Sequence, residues 1–431
     1  MKNLLKHQLL KIFKSSVERV LPRNVLTERV KVVKNKLIID EQAFTVNKNV
    51  YVVGFGKGVY GMMKTVEDLG EKLKSSKIEV LEGAKNNLPD KEAEHNTTEI
   101  IKLVSSIDYK DLLIVLTTGG GSALLPSPIP PLTIEEKSEV IKLISASGAN
   151  IEEINSVRKQ LSQVKGGKLA LMASPAKVIN FILSDVINDP LDIIASGPTV
   201  PNTDDPKIGL NILAKYDLMR KTSNVVLKIL NSSLNKDETR NFDHVHNFLI
   251  GNNSLAVDTA MDQARHFGYE PFVLTKSLQG EARLVGENIS KMLNGINQYV
   301  RGTNQSPHKL KIILEDMNIS DKSIHNFLNF VESLTDNPRN ICLLFGGETV
   351  VKVKGTGTDG IDGLADSAGA IADADLIEDA NKQGIHNVTE YLNNNDSNTF
   401  FSLLKNGDNL VKTGPHWNKR DGLAHCFRSV K

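Results

Sequence analysis

The strongest constraint on the fold is a pair of glycine-rich turns, each of which directly follows an apolar run. Val50–Val53 leads into Gly54-Phe55-Gly56-Lys57-Gly58, and Leu112–Leu116 leads by way of two threonines into Gly119-Gly120-Gly121-Ser122. A buried strand that ends in glycines and continues into a helix exposes backbone N–H groups, and this geometry favours anions such as phosphate. Lys57 adds a positive charge to the first turn. The sequence therefore predicts an α/β enzyme that acts on small molecules bearing phosphate or carboxylate groups.

Strand patterns alternate with helical patterns through the first half of the chain. Ile78–Leu81 and Val178–Leu183 add two strand patterns to the runs above, and Thr133–Ser147 and Ile151–Gln163 have the period of helices. Such alternation predicts parallel strands joined by right-handed crossovers, with ligands at the carboxyl ends of the strands.

A polar stretch from Asn231 to His246 precedes a second alternating region. In chain order its strand and helix patterns are Phe248–Ile250, Asn253–His266, Phe272–Thr275, Gly280–Leu293, Ile341–Phe345 and Val350–Lys354. A chain of 431 residues is long enough for two domains. We therefore expect an N-terminal domain over residues 1–235 and a C-terminal domain over residues 236–431, each a largely parallel sheet with flanking helices.

Composition excludes several classes of protein. The formal net charge is +1, so no global field draws this chain to nucleic acid, and no run approaches the roughly 18 apolar residues of a membrane-spanning helix. Cys342 and Cys426 are too few for a disulfide framework, which favours a reducing compartment. We expect a cytoplasmic protein with small-molecule partners and neither a nucleic-acid nor a membrane partner.

The lysine-rich segment from Met1 to Leu21 is amphipathic when drawn as a helix. A first helix packed on the domain and a mitochondrial targeting sequence both fit this pattern. Because arginine is scarce and Glu18 and Glu28 follow soon after, we expect the packed helix, with a mitochondrial location as the alternative.

The first turn also matches the G-x-G-x-x-G pattern of dinucleotide-binding proteins, from Gly56 to Gly61. Glu82 falls where such a fold would place an acidic residue on a ribose. A nicotinamide-dependent reductase is therefore an alternative interpretation, although glycines in such a turn often serve only tight packing.

Two carboxylates follow the strand pattern of Val178–Leu183, Asp185 directly and Asp189 four residues later. Carboxylates at the end of a strand hold Mg²⁺ or accept a proton from a hydroxyl, whereas the structural alternative is an ordinary turn. Asp185 is the stronger candidate because it follows the apolar run almost directly, with only Ser184 between them.

Four cations crowd one predicted helix and its exit, namely Arg158, Lys159, Lys165 and Lys168. A solvated basic face is the ordinary explanation of such a run. A clamp for phosphate or carboxylate is the functional one, and the guanidinium of Arg158 is suited to a bidentate grip.

These motifs together resemble the glycerate 2-kinases of the MOFRL type. The resemblance covers most of the chain and rests on 53-VGFGK-57, 82-EGAKNNLPD-90, 118-TGGGSALLP-126, 155-NSVRKQLS-162 with 165-KGG-167, 183-LSDV-186, 195-ASGPT-199, 346-GGET-349, 357-GTDGIDG-363 and 394-NNDS-397. So many ordered matches are far more specific than a single glycine motif.

The resemblance implies transfer of phosphate from ATP, with Mg²⁺, to D-glycerate to give 2-phosphoglycerate, in a cleft between two α/β domains. Lys57 matches a lysine that the family is thought to need for catalysis, and some relatives carry a hydroxypyruvate reductase label. The candidate catalytic residues are Lys57, Asp185 and Arg158, and the candidate metal ligands are Asp185 and Asp189. The candidate residues for binding nucleotide and phosphate are Gly54, Gly56, Gly58, Gly119, Gly120, Gly121, Ser122, Lys165, Ser196, Gly197, Glu348 and Thr349.

Two departures from the family pattern bear on activity. Relatives have a longer stretch between the G-G-E-T and T-D-G-I-D-G motifs, whereas here 353-VKG-355 runs almost directly into Gly357. The arginine that the family is thought to use on the transferring phosphate has no counterpart. The C-terminus after Pro415 also differs. A catalytically impaired form is therefore a further alternative, with lower stability and turnover than a full-length relative.

Overall fold

The protein is represented by a computed structural model, which describes residues 2–70, 88–232, 241–303, 307–337, 339–352, 367–412 and 425–427. The chain divides into two compact units, Val20–Asn252 and Met1–Arg19 with Asn253–Lys431. The expected domain boundary at residues 235 and 236, the strand pattern at Ile78–Leu81, Glu82 and the family difference near residue 355 all lie outside the described residues. These expectations stay predictions.

The elements of the described residues are numbered in chain order. The helices are α1 Lys2–Val20, α2 Pro22–Arg29, α3 Val59–Gly70, α4 Lys91–Ser105, α5 Gly121–Leu124, α6 Ile134–Ala146, α7 Ile151–Gln160, α8 Lys168–Met172, α9 Ile208–Lys215, α10 Asn224–Ser232, α11 Asn253–His266, α12 Ala282–Val300, α13 Pro307–Asp316, α14 Asp321–Asp336, α15 Leu376–Lys382, α16 Val388–Asn393 and α17 Ser397–Leu403. The strands are β1 Val30–Val33, β2 Lys36–Ile39, β3 Gln42–Thr45, β4 Val50–Phe55, β5 Leu112–Thr117, β6 Lys177–Leu183, β7 Val245–Gly251, β8 Glu270–Leu278, β9 Ile341–Gly347, β10 Ser367–Ala370, β11 Leu410–Lys412 and β12 His425–Phe427.

The unit Val20–Asn252 is built on a parallel sheet in the order β4-β5-β6-β7. The register pairs Val53 with Val115 and Val115 with Asn180, so the carboxyl ends of these strands lie side by side. All six residues of β5 are buried, as expected for a central strand covered on both faces. The predicted parallel sheet is confirmed, and it brings the two glycine-rich turns to one edge.

Local sequence explains where the helices near this edge begin. Thr133 and Asn150 each form a capping box with the glutamate three residues later, Glu136 and Glu153. Each box satisfies two backbone donors at the start of α6 and α7. The helix start expected at Thr133 is therefore confirmed, and α6 and α7 are held in fixed positions behind the second glycine-rich turn.

The second compact unit also has a parallel core, in which β8 pairs with β9. Helices α12, α13 and α14 bury an apolar cluster against these strands. The expected helix at Asn253–His266 is present as α11, and the expected N-terminal helix is present as α1, with Ile12 and Val17 buried. The two-domain α/β fold with largely parallel sheets is thus confirmed.

Antiparallel elements were missed by sequence reasoning. Strands β1–β3 form a small meander, β10 pairs with β11, and β12 pairs antiparallel with β9. The exposed lysines and glutamine of the four-residue meander strands look like loop residues in the sequence. His246, expected in the polar stretch, lies inside β7.

The strand expected at Val350–Lys354 is wrong over its described part. Val350 makes only an isolated bridge to Glu281, and residues 351 and 352 have no regular structure. Val350 and Val351 are exposed, so the apolar run is not a buried strand. No helix in the described part of the chain is long and apolar enough to cross a membrane.

Replacement of Ile114 by alanine tests the central role of β5. Ile114 is 2% exposed, so Ile114→Ala should lower the free energy of unfolding by about 2–5 kcal/mol, because it leaves a cavity in a packed core. Ile151→Ala is the matched control, since Ile151 at the start of α7 is 54% exposed. Urea denaturation measures both, and equal losses in the two variants would contradict the burial of β5.

Candidate active site

The two glycine-rich turns are joined by hydrogen bonds at the carboxyl edge of the sheet. The backbone N–H of Lys57 donates to the carbonyl oxygen of Gly119 at 2.8 Å, and the N–H of Gly58 donates to Oγ1 of Thr118 at 3.1 Å. Thr118 in turn donates its N–H to the carbonyl of Phe55. The turns after β4 and β5 therefore form one connected surface.

Glycine is required in these turns because functional side chains pack against the bare backbone. A Cβ on Gly119 would lie 1.8 Å from Oδ2 of Asp185, and one on Gly120 would lie 2.9 Å from Cε of Lys57. Gly120 also has a φ of +77°, in the left-handed region that favours glycine. The glycines thus let Lys57 and Asp185 approach the same stretch of main chain.

The main chain of this stretch keeps free donors. In the described part of the chain, the N–H groups of Gly119 and Gly120 donate to no protein acceptor. They lie beside the Lys57 side chain, so the surface offers two backbone donors and an ammonium group to an anion. The space that the missing Cβ atoms leave is occupied by the side chains of Asp185 and Lys57.

The two turns differ in the length of the helix that follows them, and so in the helix dipole available to an anion. The first turn leads into α3, which has 12 residues, whereas the second leads into α5, which has only four. The helix expected after each turn is therefore present, and the helix after the second turn is a single turn that carries little dipole. Within the second turn the N–H of Gly121 donates to the Thr118 carbonyl at 3.3 Å, whereas among the described residues those of Gly119 and Gly120 donate to no protein acceptor.

Asp185 lies at the carboxyl end of β6, where burial, a backbone hydrogen bond and the charge of Lys57 act on its pKa. Burial raises the pKa of the Asp185 carboxyl above its ordinary value, and the nearby Lys57 ammonium opposes this rise. Asp189 has a different environment, because its Oδ2 accepts a hydrogen bond from Nδ2 of Asn252 at 2.6 Å. Within the described ranges no group of three or more histidine, cysteine, aspartate or glutamate side chains is placed to hold a metal.

The A-S-G-P-T motif forms a strained loop beside Ser122. Ala195, Ser196 and Gly197 have consecutive positive φ values of 51°, 61° and 59°. Non-glycine residues in this region cost free energy and persist only where surrounding contacts enforce them. Here Oγ1 of Thr199 accepts from Nδ2 of Asn180 at 2.8 Å and donates to Oδ1 of Asn247 at 2.6 Å, which fastens the loop to β6 and β7.

A chain of polar contacts links this loop to α7. Oγ of Ser122 and Oγ of Ser196 are 2.9 Å apart, and Ser196 donates to Oδ1 of Asn155 at 3.1 Å. Nη1 of Arg158 donates to the same Asn155 oxygen at 3.2 Å. The structure thus brings together three predicted site residues, Ser122, Ser196 and Arg158, through an asparagine that sequence reasoning had not assigned a role.

The cations of α7 and its exit have different partners. Lys159 forms ion pairs with Asp192 and Asp204, so it is a structural residue. Lys168 donates to the carbonyl oxygens of Lys159 and Ser162. Lys165 is 1% exposed and donates to the carbonyls of Ser122 at 3.1 Å and Ala195 at 3.4 Å.

Arg158 and Lys165 have no carboxylate partner among the described side chains. Burial lowers the pKa of both, and repulsion from Lys137 and Arg158 lowers that of Lys165 further. Burying a cation without a counterion costs free energy. A basic cluster of this kind is typical of a site that receives an anionic ligand.

Lys137 of α6 belongs to the same cluster and was missed by sequence reasoning. It is 7% exposed, and its Nζ has no hydrogen-bond partner in the described structure. The available signal was its position, because Lys137 stands in the buried stripe of α6 with Ile134, Val140 and Ile144. A lysine at an apolar position of an amphipathic helix marks either an error in the helix pattern or a function.

The remaining predicted residues fall into two groups. Gly54 lies in β4, and Gly56 and Gly58 lie in the first turn, where a Cβ on Gly56 would lie 2.2 Å from Oγ1 of Thr118. Glu348 and Thr349 follow β9 in the other compact unit, and Glu348 is exposed. A Cβ on Gly347 before them would lie 2.2 Å from the Leu278 carbonyl oxygen, so that glycine is explained by strand pairing.

Comparison with known sequences identifies the family. A domain of unknown function (DUF4147) matches residues 8–231, and the MOFRL family matches residues 355–419. A glycerate kinase from Danio rerio is 35% identical, with 94% of this chain and 93% of that protein covered. A D-glycerate 2-kinase from Thermotoga maritima is 30% identical, with 95% of each covered. The chain belongs to the MOFRL family of glycerate kinases.

Solved structures agree with this membership of a kinase family. The crystal structure of a glycerate kinase from Thermotoga maritima has a TM-score of 0.73 at 28% identity and covers 100% of both chains. That of a Pyrococcus horikoshii protein has a TM-score of 0.71 at 26% identity, with 99% of this chain and 98% of that one covered.

The relatives also contain segments that this chain lacks. The alignment with the Danio rerio glycerate kinase spans 474 positions, which exceeds the 431 residues of the chain. The location of these segments near residue 355 stays a prediction from the family motifs.

Substitution of Gly119 tests the close approach of Asp185. In Gly119→Ala the new Cβ starts 1.8 Å from Oδ2, so the carboxylate should move by more than about 1 Å to reach an ordinary contact distance. Gly58→Ala is the matched control, because its Cβ would lie 3.7 Å from its nearest neighbour. Crystal structures of both variants give the displacement, and an unmoved Asp185 in Gly119→Ala would refute the packing described here.

Proposed function

We propose that this protein transfers the γ-phosphoryl group of ATP to the 2-hydroxyl of D-glycerate and forms 2-phosphoglycerate. Membership of the glycerate kinase family supports the substrate class. The observation that carries the proposal is the meeting of Lys57, Asp185 and the free N–H groups of Gly119 and Gly120 at one sheet edge. Parallel α/β sheets bind ligands at this edge.

Each of these groups has a task in phosphoryl transfer. Such a transition state needs aligned reactants and neutralised oxygens more than covalent help from the protein. The N–H groups of Gly119 and Gly120 bind phosphate oxygens, with Gly54, Gly56 and Gly58 shaping the neighbouring turn. Lys57 neutralises charge that develops on the transferring group.

We consider two roles for Asp185, general base and Mg²⁺ ligand, and its position is compatible with both. A half-buried carboxylate with a raised pKa, beside a lysine, is suited to accept the proton of the attacking hydroxyl. It also fits Mg²⁺, because this ion is commonly bound by one or two carboxylates together with substrate phosphates. Asp185 would then hold the ion, with Asp189 as the weaker candidate because Asn252 engages its carboxylate. Bound Mg²⁺ would neutralise charge on the nucleotide phosphates.

The substrate acid is assigned to the basic cluster. Arg158 binds a carboxylate or phosphate, and Ser122, Ser196 and Gly197 position it through the contacts around Asn155. Lys165 orders the loops by binding two carbonyls and contributes positive potential. Glu348 and Thr349 lie in the other compact unit, and their assignment to nucleotide binding stays a prediction from the sequence motifs.

Replacement of Lys57 by methionine tests the mechanism. Lys57→Met should lower kcat by about a hundredfold or more, as expected when one charged contact to the transition state is lost. Lys64→Met is the matched control, because Lys64 is an exposed lysine on the adjacent helix α3 and should change kcat by less than about twofold. An assay coupled to enolase detects 2-phosphoglycerate specifically. Near-normal turnover of Lys57→Met would remove Lys57 from the mechanism.

The same preparation distinguishes the reductase alternative. Hydroxypyruvate with NADH should give no oxidation of NADH, whereas ATP and D-glycerate should give 2-phosphoglycerate. The opposite pair of results would replace the kinase proposal by the reductase one.

A further inference from the structure

Lys137 is a buried cation for which the protein itself supplies no partner. Its side chain is 7% exposed and its Nζ makes no hydrogen bond in the described residues. The capping box at Thr133 fixes α6, so the lysine is held in place rather than free to swing to solvent. A lysine aliphatic chain ordinarily carries its ammonium to water. An interior position without a partner therefore requires an explanation.

The surroundings of Lys137 are mainly positive. Repulsion from Lys168 and Arg158 lowers the pKa of Lys137. Repulsion from Lys137 and Arg158 lowers the pKa of Lys165 in the same way. The carboxylate of Glu94 in α4 opposes these cations and raises the pKa of Lys137. It forms no ion pair with Lys137 among the described residues. Four cations, Lys137, Arg158, Lys165 and Lys168, thus form one cluster, and Lys165 joins it to the carbonyl of Ser122.

We propose that Lys137, together with Arg158, binds the carboxylate of the three-carbon acid substrate and makes this site specific for acids over uncharged polyols. This inference rests on the proposed function and names a specificity residue for it. Arg158 offers the planar pair of donors that suits a carboxylate, and Lys137 adds a single point charge. The hydroxyls of Ser122 and Ser196 lie in the same hydrogen-bonded network as Arg158, where a hydroxy acid finds partners for its hydroxyl groups.

The burial of this cluster favours a carboxylate over the nucleotide phosphates as its ligand. A group that reaches Lys137 loses most of its water, and this cost is lower for a small ion with one charge than for a phosphate with two. The triphosphate has donors of its own at the more accessible turn, namely the N–H groups of Gly119 and Gly120 and the side chain of Lys57. The carboxylate of the acid and the triphosphate of the nucleotide therefore each have their own set of donors.

The protonation of Lys137 makes this binding sensitive to pH. Burial, together with repulsion from Lys168 and Arg158 and against the opposing effect of Glu94, lowers the pKa of Lys137 from 10.5 to about 7. Below pH 7 the free enzyme carries the charged amine, and above it the amine becomes neutral. Attraction for the carboxylate should then weaken as pH rises through about 7, and kcat/KM for D-glycerate should fall with it.

Three variants test the assignment. Lys137→Met removes the charge but keeps a long side chain, Lys137→Arg keeps a charge at all of these pH values, and Lys142→Met removes an exposed lysine from the same helix. Lys137→Met should raise KM for D-glycerate about tenfold to a hundredfold, the range for loss of a charged hydrogen bond. KM for ATP should change by less than about twofold, and Lys142→Met should resemble the wild type.

The pH profile gives a second, independent readout. The fall of kcat/KM for D-glycerate between pH 6 and pH 8.5 should be present in the wild type and absent from Lys137→Arg. A purely structural lysine would not move this profile. If Lys137→Met fails to fold, the comparison of wild type with Lys137→Arg decides alone, and parallel profiles would overturn the inference.

The remaining outcomes are also decisive. An unchanged KM for D-glycerate in Lys137→Met, or a rise confined to the KM for ATP, would overturn the inference and leave the kinase proposal standing. A wild-type chain that forms no 2-phosphoglycerate contradicts the proposed function before any variant is made. Calorimetric binding of D-glycerate to wild type and Lys137→Met then still tests Lys137, because equal affinities would exclude it.

Discussion

The close approach of Asp185 and Lys57 to the bare main chain of Gly119 and Gly120 is the constraint on which the rest of the site depends. Because a Cβ on Gly119 would meet the carboxylate at 1.8 Å, no other residue fits there without displacing Asp185. The hydrogen bond from Lys57 N–H to the Gly119 carbonyl holds the two turns together. Backbone donors, an ammonium and a carboxylate are thereby fixed at neighbouring strand ends.

A second constraint is the uncompensated positive charge behind this edge. Arg158, Lys165 and Lys137 are held by α6, α7 and the strained loop at Ala195–Gly197, and the described structure supplies no ion-pair partner for them. Such an arrangement is costly in the empty protein and becomes favourable when an anion enters. Because an acidic substrate would relieve the repulsion among these cations, we expect the cluster to increase the affinity for such a substrate.

The sequence predicted the parallel sheet, because the buried runs of β4, β5 and β6 are apolar and end in glycine or aspartate. From the family motifs it also proposed Lys57, Asp185, Ser122, Ser196 and Arg158 as site residues, and their roles stay predictions. It did not predict Lys137, Asn155 or Asn180, since a lysine or asparagine inside an amphipathic helix or strand gives no sign of its partners. Their surroundings follow from strand register and helix rotation, which bring Asn155 to Ser196 and Asn180 to Thr199 and place Lys137 on the buried stripe of α6.

A crystal structure with D-glycerate and a non-hydrolysable ATP analogue tests the central claim most directly. The account predicts phosphate oxygens within about 3.5 Å of the Gly119 and Gly120 nitrogens and of Lys57 Nζ, with the glycerate carboxylate at the same range from Arg158 and Lys137. Both ligands bound away from the glycine-rich turns, with the side chains of Arg158 and Lys137 untouched, would contradict it.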